Sequence, residues 1–128
     1  MRRATVHRTF WVAASHQLPN YPGDCSRMHG HNYKIEIGVT GVVQEEGPYE
    51  GMVVDFKELK AIFAPIEKSL DHYHINNVIP YVTTAEMIAH WIFEQLAAAL
   101  PSHLSVASVR VWETENSYAE VTPNDRAH

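Results

Sequence analysis

Residues 29–43 carry a strict two-residue alternation, and no other feature limits the possible folds as much. Tyr33, Ile35, Ile37 and Val39 take one phase, while Asn32, Lys34, Glu36 and Thr40 take the other. Successive side chains of a β-strand point to opposite faces, so this stretch predicts a strand with one buried and one wet face. A strand of that kind belongs to an antiparallel sheet covered on one side only. His29 and His31 fall on the buried phase. A second strand is predicted over 5–14, where Val6, Phe10, Val12 and Ala14 alternate with Thr5, Thr9 and Trp11, and His16 follows in the apolar phase. A last strand is predicted over 105–113, with Val109 and Val111 in phase and Glu113 continuing their face. A short strand, "MVVDF", is predicted to lead out of the turn "QEEGPYEG".

Helical spacing replaces alternation in two places. From about Phe56, the residues Leu59, Ile62, Phe63, Ile66 and Leu70 continue an apolar stripe, with Asp55 placed to cap it. Pro65 lies inside that stripe and predicts a kink or break. A second helix is predicted from about Thr84 to Leu100, with Ile88, Ile92, Leu96 and Leu100 on one face. Thr83 and Glu86 have capping-box spacing, and Pro101 ends the helix. Two amphipathic helices on an antiparallel sheet make an α+β fold. The 128 residues fit a single domain, 1–128, small enough to gain from oligomerisation.

Composition excludes several classes of partner. A net charge of −5 with no basic run argues against nucleic acid. No apolar run approaches the roughly 20 residues of a membrane span, and the N-terminus is too short and polar for a signal peptide. A single cysteine cannot form an internal disulfide, which points to a reducing cytoplasm.

Nine histidines in this length make a metal site worth testing. His29 and His31 are two apart on a strand, so their rings share a side and can converge on one ion. His16, ending another strand, is the natural third ligand. Three imidazoles with an open fourth position form the pattern of a catalytic zinc site. The alternative is a pair of satisfied polar residues at a strand end. Cys25 fits three roles: a fourth ligand, a base or nucleophile whose thiolate a nearby cation favours, or a small buried hydrophobe. Asp71 and His72 are adjacent where the first helix ends. They suit proton transfer, or a histidine favoured by the helix dipole beside a surface aspartate. Glu113 points where a core residue should, and a buried carboxylate needs a ligand or cation unless the strand has already passed the core. His7, His74, His90, His103 and His128 show no such pattern.

The segments "FWVAASHQL", "CSRMHGHNY", "GMVVDFKELK", "LDHYHIN", "TTAEMIAHWI" and "VWETENSYA" occur in this order, from about Thr9 to Tyr118. Together they resemble the 6-pyruvoyltetrahydropterin synthase family. Three residues between Cys25 and His29, together with "VVDF", look most like its bacterial branch, the 6-carboxytetrahydropterin synthases of queuosine biosynthesis. The resemblance implies the tunnelling fold (T-fold): a four-stranded antiparallel sheet with two helices on one face. It implies a trimeric barrel, two trimers stacking into a homohexamer, and active sites shared between subunits. It implies Zn2+ held by His16, His29 and His31, with Cys25 as catalytic base and Asp71 and His72 completing a proton relay. Glu113 is implied as the pterin anchor, and Thr84 and Ala85 as lining of the pterin pocket. Ala85 stands where the family often has a hydroxyl. The implied reaction converts 7,8-dihydroneopterin triphosphate to 6-carboxy-5,6,7,8-tetrahydropterin, acetaldehyde and triphosphate. The implied alternatives are the 6-pyruvoyl product of biopterin synthesis, or a non-catalytic pterin- and zinc-binding homologue. Arg27 and Lys34 are candidates by position to meet the triphosphate.

Overall fold

A computed structural model of the protein describes residues 1–23 and 27–127. Its elements are β1 (Arg3–His16), β2 (His29–Val42), α1 (Phe56–Leu70), α2 (Ala85–Ala99), β3 (Leu104–Thr114) and β4 (Ser117–Val121), with short 3₁₀ turns at Ile75–Asn77 and Pro123–Asp125. The strands form one antiparallel sheet in the order β1-β2-β3-β4. β1 and β2 pair along their whole length, from Arg3 opposite Val42 to His16 opposite His29. β1 is longer than the predicted 5–14 because that ladder supports both of its ends.

One face of the sheet carries the core. Val12, Ile35, Ile37, Val109 and Val111 are buried there, beneath Leu59 and Phe63 of α1 and Ile88, Ile92 and Leu96 of α2. Phe10 stacks on Phe63 with ring centroids 4.3 Å apart, fixing α1 over β1. Each such side chain, fully buried, contributes about 1.5–3 kcal/mol relative to exposure. The opposite face is wet and aromatic: Trp11 is 62% exposed, and the Lys34 ammonium lies 4.7 Å from the Trp112 ring centre. His16, Glu113 and the β2 histidines therefore sit on the helix-covered face, at the end of the sheet where its apolar layer stops.

Three local predictions need correction. "MVVDF" is not a strand: Val53 and Val54 are both buried, which alternation forbids, and the segment is tied back by Gly51 N–H and the Met52 carbonyl to Gln44. The fourth strand is instead Ser117–Val121, hairpinned onto β3. Pro65 does not break α1, which runs on to Leu70. Pro65 and Ala61, whose carbonyl loses its donor, both face water, and the Ser69 hydroxyl bonds the Pro65 and Ile66 carbonyls. Finally, Thr84 and not Thr83 caps α2, its hydroxyl accepting the Met87 N–H at 3.2 Å.

Candidate functional site

Strand register builds the centre of the site. His16 lies opposite His29, and Ala14 opposite His31, so three rings of one phase meet at one sheet end. Glu113 reaches the same point from β3. One ligand atom from each of His16, His29, His31 and Glu113 lies within 4.8 Å of all the others. His16 Nε2 is 2.9 Å from His29 Nε2, and Glu113 Oε1 is 3.0 Å from both His16 Nε2 and His31 Nε2.

The surroundings decide which ring nitrogens face inward. His16 Nδ1 is 2.8 Å from the Thr83 carbonyl oxygen, and His29 Nδ1 is 2.7 Å from that of Arg27. A carbonyl can only accept, so both Nδ1 atoms carry a proton, and the two Nε2 atoms face each other beside the Glu113 carboxylate. Two ring nitrogens facing at 2.9 Å, with a carboxylate beside them, require a proton or a metal ion between them. His31 Nε2 is buried and makes no hydrogen bond, because its approach to Glu113 is short but poorly directed. Outer carbonyls that orient inward-facing imidazoles are the arrangement of a metal centre. Nitrogens bound to one tetrahedral zinc at about 2.0–2.1 Å lie roughly 3.3 Å apart, a spacing small ring rotations supply here. The residues present fit a zinc ion.

The same geometry shows in the ionisation of the groups. Burial pulls His16 down, but the hydrogen bond to Glu113 and the Thr83 carbonyl outweigh it and raise its pKa. Burial dominates at His31 and lowers it, favouring the neutral form that ligates metal. The His16 hydrogen bond holds the Glu113 carboxyl below its ordinary range against the opposing effect of burial. Glu113 is thus a carboxylate, and a proton and a metal ion compete for the same His16 lone pair.

Asp71 and His72 adjoin this centre along the free edge of β1. Asp71 Oδ1 accepts the Ala13 N–H at 2.9 Å, and Asp71 Oδ2 is 3.1 Å from His72 Nδ1. The His72 N–H donates to the Ala13 carbonyl and the Ser15 N–H to the Tyr73 carbonyl, so residues 71–74 lie along the strand edge. His72 is held at φ +65°, a left-handed conformation that costs a non-glycine residue about 1–3 kcal/mol and clusters at functional sites. Its ring is 80% exposed and lines a cleft of about 440 Å³ together with His31 and His74. A second cleft of about 460 Å³ is lined by Ala85 and Glu113. Glu113 and His31 therefore connect the two clefts through the histidine cluster.

The structure thus brings His16, His29, His31 and Glu113 together, with Asp71 and His72 beside them and Ala85 in the Glu113 cleft. Thr84 caps α2 immediately before Ala85. Cys25 lies outside the described residues. Lys34 is on the opposite sheet face from the histidines, whereas Arg27 touches His29 through its carbonyl. Two contributors had no signal in the sequence. Thr83 acts through its backbone, and His74 bonds the Ser15 hydroxyl at 2.9 Å across 59 residues of chain.

A half-covered four-stranded sheet with an inward-facing histidine and carboxylate cluster at one end defines a T-fold with a group able to hold a metal ion. Residues 5–124 match the family described as 6-pyruvoyl tetrahydropterin synthase. The chain is 39% identical over 118 residues to the 6-carboxy-5,6,7,8-tetrahydropterin synthase of Synechocystis, covering 89% of each. It is 31% identical over 137 residues to that of Haemophilus influenzae, covering 90% of this chain and 96% of the relative. Its fold matches the 6-pyruvoyl tetrahydropterin synthase of Caenorhabditis elegans with a TM-score of 0.82 at 26% identity, over 95% and 96% of the two chains. The chain belongs to the 6-pyruvoyl tetrahydropterin synthase family, a family of lyases.

Proposed function

We propose that the protein is a zinc-dependent lyase of the queuosine pathway. It converts 7,8-dihydroneopterin triphosphate and water to 6-carboxy-5,6,7,8-tetrahydropterin, acetaldehyde and triphosphate. The observation that carries this reading is the convergence of His16, His29, His31 and Glu113 within 4.8 Å. The relatives named for the 6-carboxy product favour that branch. When bound, zinc supplies Lewis acidity to the hydroxyl-bearing side chain of the substrate. Glu113 holds the pterin ring by accepting its N–H and amino group in a two-point, charge-assisted bond. Backbone at Thr84 and Ala85 lines the ring's pocket, the Thr84 hydroxyl being committed to capping α2. The Cys25 thiolate removes a carbon-bound proton. Asp71 keeps the Nδ1 of His72 protonated, which frees Nε2 to accept or return a proton on the other side of the substrate.

Incubating the zinc-loaded protein with 7,8-dihydroneopterin triphosphate without oxygen, and identifying products by mass spectrometry, tests the reading. A 6-carboxy product with acetaldehyde is expected. A 6-pyruvoyl product without acetaldehyde moves the chain to biopterin chemistry, and bound pterin without turnover makes it a non-catalytic homologue. We also read the chain as a one-domain subunit of a cytoplasmic homohexamer, a dimer of barrel-forming trimers. The edge of β1 ahead of Ala13 and the edge of β4 suit that closure, and none of the described helices is long and apolar enough to cross a membrane.

Glu113 has a second reading, favoured by its 3.0 Å approach to two ring nitrogens: it is a metal ligand. Glu113→Ala separates the two. As anchor, its loss weakens pterin binding roughly 10- to 100-fold and leaves zinc content unchanged. Loss of zinc in that variant makes it a ligand, and unchanged pterin affinity removes the anchor role.

A further inference from the structure

Resting on the zinc site proposed above, we infer that Asn76 and Thr83 are positioning residues for the metal ligand His16. His16 is the last residue of β1, so no ladder bond fixes the chain beyond it. Asn76 takes over at that point. Its Oδ1 accepts the Gln17 N–H at 2.8 Å, and its Nδ2 donates to the Gln17 carbonyl at 2.8 Å. A side-chain amide thereby pairs with the backbone of residue 17 as a neighbouring strand would.

Thr83 completes the brace. It is fully buried, and its carbonyl accepts His16 Nδ1–H. Its hydroxyl lies 3.3 Å from Asn76 Oδ1 and 3.4 Å from the Gln17 carbonyl, so one shared proton ties it to both. Three separate segments are locked here: the end of β1, the Ile75–Asn77 turn and the approach to α2. The lock acts on chemistry as well as on shape. It holds the proton on Nδ1 and keeps the Nε2 lone pair aimed at the other ligands. An imidazole released from it would share its proton between both nitrogens and rotate. Losing an outer partner of this kind typically costs metal affinity about 10- to 100-fold.

The test is zinc affinity of the full-length protein, measured by chelator competition from the metal-free state. The variants are Asn76→Ala, Thr83→Val and Thr83→Ser. Cobalt substitution gives a visible spectrum of the centre, and melting of the metal-free forms reports folding separately. Asn76→Ala and Thr83→Val, which loosen the brace while the Thr83 carbonyl remains, are expected to bind zinc up to about 10-fold more weakly and to shift the cobalt bands. Thr83→Ser, which keeps the hydroxyl, should bind as the unchanged protein does. Wild-type zinc affinity in folded Asn76→Ala and Thr83→Val, with lower melting alone, would overturn the inference and leave the brace a folding device. Should Asn76→Ala not fold, the Thr83 pair decides alone, since valine keeps both volume and carbonyl. Unchanged protein that takes up no zinc overturns the zinc site itself, and the positioning role with it.

Discussion

His31→Ala strips the protein of zinc and of turnover together. The imidazole removed is one of three that meet at the sheet end, and its Nε2 makes no hydrogen bond that truncation would leave unsatisfied. Its side chain is 23% exposed and lies beyond the apolar layer, so the core beneath keeps its packing. Losing a direct ligand should cost more affinity than the roughly 10- to 100-fold set by an outer partner. Melting with and without zinc displays the difference. Zinc at about 100 times its dissociation constant stabilises the unchanged protein by about 2.7 kcal/mol, or some 10 °C for a domain of this size. The variant should gain almost nothing and show background turnover that added zinc does not restore. Full zinc content in His31→Ala would remove His31 from the ligand set.

Cys25→Ala separates catalysis from assembly of the centre. A positioned general base contributes about 10²–10⁴-fold, and turnover should fall by that much while zinc content and pterin affinity hold. The reasoning is chemical and local in sequence. Cys25 is two residues from Arg27, whose carbonyl bonds His29, and a cation close by favours thiolate over thiol. Zinc lost along with the thiol would instead make Cys25 a ligand that closes the site. Unaltered turnover would send the search for the base to His72.

Period-two alternation was enough to place His16, His29, His31 and Glu113 on the helix-covered face, because a strand that buries one side admits only one register. That single rule carried most of the histidine and carboxylate cluster. What it missed has specific causes. Ser117–Val121 is short and mixed in character, and only its hairpin partner β3 makes it a strand. Val53 and Val54 are apolar for a different reason: both fill the core from an irregular segment. Thr83 has the spacing of a cap because adjacent threonines look alike in sequence, yet Thr84 serves α2 with its hydroxyl and Thr83 serves His16 with its carbonyl. Asn76 and His74 act across 59 residues of chain, where no local periodicity reaches.

The in-register pairing of His16 with His29 has an evolutionary corollary. Both strand ends are clamped by their ladder, and Gln17 and Arg27 are tied to Asn76 and His29, so length changes that spare the imidazoles fall between them, in 18–26. In sequence, Cys25 belongs to that stretch. Under the reaction proposed above, divergent products from one sheet would arise through indels in 18–26 more readily than through substitutions in β1 or β2.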